Sequence, residues 1–217
     1  IQIKEPSRSI HSKLNTFKQS QNEHHVKILL IRSGAMGDVI LTTPIIRILH
    51  QKFDGLCSIN VATRYPEVFR NNPYIEKIFT IQEIRSIEEQ FNLIVDLDYS
   101  YEKNRKKHIS EAYKFYVFGN SLDNECMQPE LFPNDHDRTL TEAFIETIGV
   151  PHIVCHNRID STQPYRNLSA QYWEDLILKF IDQTNLMVVQ IGSKNMDFAL
   201  NVNKSNLIDA RGVFNLQ

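Results

Sequence analysis

Residues 26–47 read VKILLIRSGAMGDVILTTPIIR, and this stretch decides the fold class. Val26–Ile31 is a nearly continuous apolar run, the pattern of a parallel strand buried on both faces. From Val39 to His50 the apolar residues Ile40, Leu41, Ile45, Ile48 and Leu49 fall at helical spacing, with Thr42-Thr43-Pro44 inside the first turns. Between strand and helix lies the loop Ser33-Gly34-Ala35-Met36-Gly37-Asp38. Gly34 and Gly37 let its backbone turn tightly and approach a ligand closely. The helix start directs free N–H groups toward the same place and favours negative charge there. Asp38 thereby sits at the C-terminal edge of a parallel sheet, where open α/β folds bind ligands. Two roles are open to it: a helix N-cap, or a general base. The loop is not G-x-G-x-x-G and lacks the lysine of a P-loop, so an ordinary dinucleotide or ATP site is not expected.

Outward from this stretch, strands and helices alternate. Strands are expected at Leu56–Ala62, Lys77–Ile81 and Leu93–Leu97, and helices at Tyr65–Asn71, Ile84–Gln90, Ile109–Phe118 and Thr139–Ile148, the last closed by Gly149. Residues 120–136 are polar with two prolines and read as a surface loop. A strand within Ile153–Ile159, a turn at Ser161–Pro164, a helix at Ala170–Asp182, a strand at Leu186–Ile191, a short helix and a strand near Leu207–Ala210 complete the chain. The divisions expected are an N-terminal extension (1–25), a first Rossmann-like domain (26–152) and a partial second one (153–217). Two or three strand–helix units fall short of the roughly five strands of a doubly wound domain. The reading is therefore a chain lacking about the last third of a natural protein, or a shortened relative. In the extension, Ile10, Leu14 and Phe17 share a helix face. That face either packs on the domain or touches a membrane surface.

The 217 residues suit one or two domains. A net charge of -2 gives no electrostatic reason for a nucleic-acid partner. The three cysteines, Cys57, Cys126 and Cys155, are scattered and fit a reducing cytosol, so a cytoplasmic location is expected, with the inner face of the membrane as its variant. The eight histidines form no spaced cluster, so no metal site is expected. No apolar run approaches the ~20 residues that span a bilayer.

The segment ILLIRSGAMGDVILTTPIIRIL resembles the opening signature of glycosyltransferase family 9, the ADP-heptose:lipopolysaccharide heptosyltransferases. Further segments follow in the family's order: NNPYIEKI (71–78), FNLIVDL (91–97), His136-Asp137-Arg138 before the helix ending at Gly149, RNLSAQYW (166–173), and the strands at 186–192 and 206–212. Leu168-Ser169 stands where the family carries Trp-Pro, and its Asp-(Ser/Thr)-Gly-x-x-His donor loop does not occur in these residues. The resemblance implies the GT-B fold and an inverting, metal-independent transfer of heptose or a related sugar from a nucleotide sugar, ADP-heptose being the donor, with no cofactor. Asp38 would be the general base. Ser161, Thr162 and Arg166 match positions that contact the donor phosphates. Ser33, Gly34 and Gly37 would line the substrate site. Arg64 and the run Lys103, Arg105, Lys106 and Lys107 lie where the family holds an anionic glycolipid acceptor, with peripheral membrane contact as a corollary. The run also reads as a solvated face, Asp96 as structural at a strand end, and Tyr99 and Tyr101 as packing or sugar-stacking residues. Two other readings stand beside the transferase: a shortened, non-catalytic glycan- or glycolipid-binding relative, and an unrelated nucleotide-binding Rossmann protein.

Overall fold

The structure is a computed structural model, and it describes residues 25–98, 100–101, 106–119, 125–158 and 164–214. The chain divides into two compact units, with the boundary between Pro133 and Asn134.

The first unit holds four parallel strands: β1 (Val26–Arg32), β2 (Cys57–Thr63), β3 (Ile75–Thr80) and β4 (Leu93–Asp96), in the order β3-β2-β1-β4. Alternate β1 residues serve opposite faces. Ile28 and Leu30 join the larger core, while Leu29 and Ile31 pack with Ala62 against Phe79, Phe91 and Ile94. Covering both faces explains why β1 is apolar from Ile28 to Ile31. The order reverses at β1, since β2 lies on one side and β4 on the other. The crevice outside the C-terminal ends of β1 and β4 is thus a topological switch point.

The helix expected over Val39–His50 is two helices, α1 (Met36–Ile40) and α2 (Thr43–Lys52). Pro44 has no N–H to offer the Ile40 carbonyl one turn back. The Thr43 hydroxyl donates to that carbonyl at 2.9 Å, and the Thr42 hydroxyl to Val39 O at 2.7 Å. Leu41-Thr42 therefore separates two helices, and Thr43-Pro44 opens the second rather than lying inside a single one. Beyond α2, Pro66–Phe69 forms a 3-10 turn, α3 (Ile84–Ile87) is a single turn, and α4 (Ile109–Phe118) has the expected bounds.

In the second unit, α5 (Asp135–Ile148) begins earlier than expected, because the Asn134 side chain accepts from Asp137 N at 2.7 Å and caps it. Gly149 ends it in the left-handed conformation, with φ 64°. This helix packs with the second unit, whereas the sequence reading put it in the first. Its Phe144 meets Phe214 edge-on at 5.0 Å between centroids. The strands β5 (His152–Cys155), β6 (Met187–Gln190) and β7 (Leu207–Asp209) form a parallel sheet in that order. Helix α6 (Ala170–Thr184) buries Ile177 and Ile181 against Val188 on one face. Toward α5, Phe144, Ile145, Val154, Val189 and Ile191 border an apolar hollow of about 290 Å³. The short helix expected between β6 and β7 is absent; residues 192–206 run through turns. The amphipathic stretch around Ile10–Phe17 lies outside the described residues. Among the described residues, no helix is long and apolar enough to cross a membrane.

Candidate active site

At the end of β1, Arg32 is a charge at the close of an apolar strand and is only 3% exposed. A buried guanidinium requires partners. Arg32 Nη2 donates to Asp38 Oδ2 at 2.7 Å, and Nη1 donates to Leu97 O at 3.1 Å and reaches Asp98 Oδ1 at 3.4 Å. The guanidinium lies 5.5 Å from the centre of the Tyr113 ring, which α4 supplies. Burial works against its charge, but Tyr113 and the two carboxylates more than offset that, and its pKa lies above the ordinary arginine value. Asp98 also accepts from Ser33 N at 2.8 Å and from the Ser33 hydroxyl. Asp96 accepts from Asp98 N at 2.9 Å and shapes the turn that presents Asp98.

Asp38 is not the N-cap. Ala35 holds that position without a side-chain cap, and Asp38 lies in the first turn of α1. Its carboxylate is a quarter exposed, so it faces both Arg32 and the solvent at the switch point. Neither Gly34 nor Gly37 has a positive φ, so the loop does not draw on the backbone freedom expected of them. A Cβ on Gly34 would come within 2.7 Å of the Arg32 guanidinium, whereas one on Gly37 would meet nothing within 4 Å.

Arg64 is exposed one residue past β2, and Lys106 and Lys107 are exposed just before α4. Lys107 Nζ sits 4.6 Å from the Phe115 ring centre. Among the described residues, no hydrogen bond or ion pair joins these three cations to the Asp38 network. Lys103, Arg105, Ser161, Thr162 and Tyr99 lie outside the described residues. Arg166 ends the 3-10 turn Pro164–Arg166, ahead of Ser169, which caps α6 by accepting from Tyr172 N at 3.1 Å. That cap explains serine where the resemblance expects proline.

Sequence reasoning passed over Arg32 and Asp98 as site residues. The signal was present: an arginine ending a run otherwise buried on both faces needs a carboxylate nearby. It also passed over a cluster at the C-terminal edge of the second sheet. There His156 Nε2 lies 3.2 Å from Asp197 Oδ2, Ser193 N donates to the same oxygen at 2.7 Å, and Arg211 grips Asp209 through Nε and Nη2 at 2.8 Å each. Gly192 has φ 137°, and a Cβ there would overlap Asp197. Among the described residues, no group of three or more His, Cys, Asp or Glu side chains is placed to hold a metal ion.

No family model matches the sequence, and no curated protein matches it significantly. Solved structures do. A family 9 glycosyltransferase from Veillonella parvula superposes with a TM-score of 0.68 at 15% identity, over 88% of this chain and 70% of that one. The E. coli ADP-heptose lipopolysaccharide heptosyltransferase II matches with a TM-score of 0.57 at 13% identity, over 78% of this chain and 65% of that one. An E. coli heptosyltransferase, WaaC, solved with ADP, matches with a TM-score of 0.50 at 11% identity, over 77% of this chain and 67% of that one. This chain thus spans roughly two thirds of the length of these proteins. Its two successive parallel α/β units have the GT-B fold of the family 9 glycosyltransferases and heptosyltransferases.

Proposed function

We propose that this chain is a glycosyltransferase that moves heptose, or a related sugar, from an ADP-sugar to a hydroxyl of an anionic, lipopolysaccharide-core-like acceptor. Asp38 is the general base. Its carboxylate takes the proton of the acceptor hydroxyl as that oxygen bonds to the anomeric carbon. The bond from that carbon to the diphosphate breaks, ADP leaves with the electron pair, and the anomeric configuration inverts. Ser161, Thr162 and Arg166 contact the donor phosphates, and Ser33, Gly34 and Gly37 line the substrate site. Arg64, Lys103, Arg105, Lys106 and Lys107 attract the acceptor's negative charge. The reading calls for no cofactor beyond the donor itself. It places the reaction in the cytoplasm, at the membrane's inner face where the acceptor is anchored.

One observation carries the reading: a partly exposed carboxylate, not spent on capping its helix, stands at the switch point of a sheet with this fold. The test is turnover of ADP-heptose with a lipopolysaccharide-core acceptor, using the protein as its source makes it. Asp38→Asn should lower kcat by about 10²–10⁴-fold, while calorimetry finds ADP affinity nearly unchanged. Normal turnover by that variant removes Asp38 as the base. Acceptor binding without any turnover by the unaltered protein favours the glycan-binding reading instead.

A further inference from the structure

We infer that Arg32 is a positioning residue for Asp38, clamped so that it holds one carboxylate oxygen and leaves the other for the acceptor proton; this rests on the reading of Asp38 as the base. Arg32 Nη2 takes Asp38 Oδ2 at 2.7 Å, and among the described residues no hydrogen bond is made to Oδ1. At 3% exposure, Arg32 offers no surface of its own to a ligand, so it acts through its partner.

Among the described residues, three separate pieces of chain hold the guanidinium. The segment after β4 supplies the Leu97 carbonyl and the Asp98 carboxylate. Helix α4 supplies the Tyr113 ring. The loop supplies Gly34, whose missing side chain leaves the room that the guanidinium fills. Among the described residues, the one guanidinium stands between the two carboxylates of Asp38 and Asp98. The arrangement needs a planar fork, since one end must reach Asp38 while the other reaches Leu97 and Asp98. A lysine supplies the charge at a single point and cannot span both.

The experiment measures kcat and KM for ADP-heptose and a lipopolysaccharide-core acceptor with Arg32→Ala, Arg32→Lys and Asp38→Asn, in the protein as its source makes it. Displacement of a catalytic group by about 1 Å costs on the order of 100-fold in rate. Arg32→Ala should therefore lose about that much kcat with KM unchanged, and millimolar guanidinium ion should restore part of it. Arg32→Lys retains the charge and should still lose kcat, which keeps the inference testable if the alanine variant does not fold. Full kcat in either Arg32 variant overturns it. So does a loss in Arg32→Ala that guanidinium leaves untouched, which would mark a merely structural arginine. Asp38→Asn separates the two levels. If that variant turns over normally, the base reading fails; if it is inactive while Arg32→Lys is fully active, only the role of Arg32 fails.

Discussion

Arg32 and Gly34 form a size match that a single methyl group would break. Gly34→Ala places a Cβ 2.7 Å from the guanidinium, which cannot withdraw because Leu97, Asp98 and Tyr113 enclose it. The expected cost is about 1–3 kcal/mol, the range for overpacking a filled site. Urea denaturation measures it, and an unchanged midpoint would show that the guanidinium has room to move. The thiols give a pH prediction. Burial pushes Cys57 up to about 11 from an ordinary value of 9.0, while Cys126 is exposed. A pKa of 11 leaves roughly one thiolate in a thousand at pH 8. An aromatic disulfide reagent should therefore modify Cys126 rapidly and Cys57 only when the chain unfolds. The unfolded thiol ionises first, so this contribution to stability is present below pH 9 and lost as pH rises toward 11. The fall in urea midpoint over that interval should be shallower in Cys57→Ala.

At the scale of elements, the sequence is most legible where a residue type admits one use. Gly119 and Gly149, both with positive φ, end α4 and α5 where the sequence reading placed those ends. Helix starts were harder, because polar first turns resemble loops. Asn134 caps α5, and Asp135 and Asp137 complement its dipole, yet Asp135-His136-Asp137-Arg138 has no apolar periodicity to mark a helix. Asn134→Ala should cost about 1 kcal/mol, read from thermal or urea unfolding of the second unit. The α1–α2 break was hidden because apolar spacing continues across it. Thr43 repairs it from both sides: its hydroxyl donates to Ile40 O and accepts from Glu130 N at 2.9 Å. Thr43→Val keeps the shape and removes both bonds. A loss of about 1–3 kcal/mol with helix content retained is expected, the penalty for buried groups left unsatisfied. Arg47 holds the same strap through Glu130 and the Cys126 carbonyl, so the segment before Pro133 is tied to α2 at several points.

For the whole molecule, parallel α/β architecture was readable because strands covered on both faces become continuous apolar runs. The division into units was not readable. An amphipathic helix such as α5 shows that it has a buried side without naming the sheet beneath. Its packing partners, Phe214 and Val189 among them, lie far along the chain. Pairings across such distances also joined Arg32 to Asp98, which local patterns do not encode. The first unit has a sheet packed on both faces and its own core, so residues 25–133 should fold alone. Cooperative urea unfolding of that segment, followed by circular dichroism, checks this; a gradual, uncooperative loss would show that it needs the rest of the chain. Residues 134–217, with the open apolar hollow, should bind a fluorescent hydrophobic dye when isolated.

The central place of β1 has a consequence during synthesis. Pairing of β1 with β2, and of β2 with β3, becomes available once the ribosome has released residues through Thr80. Arg32, however, meets Leu97 and Asp98 across a separation of 65 and 66 residues. A nascent chain thus carries Asp38 long before anything anchors the arginine beside it. Closure of that contact is a late, long-range event, and the carboxylate is set in place only when the first sheet is whole.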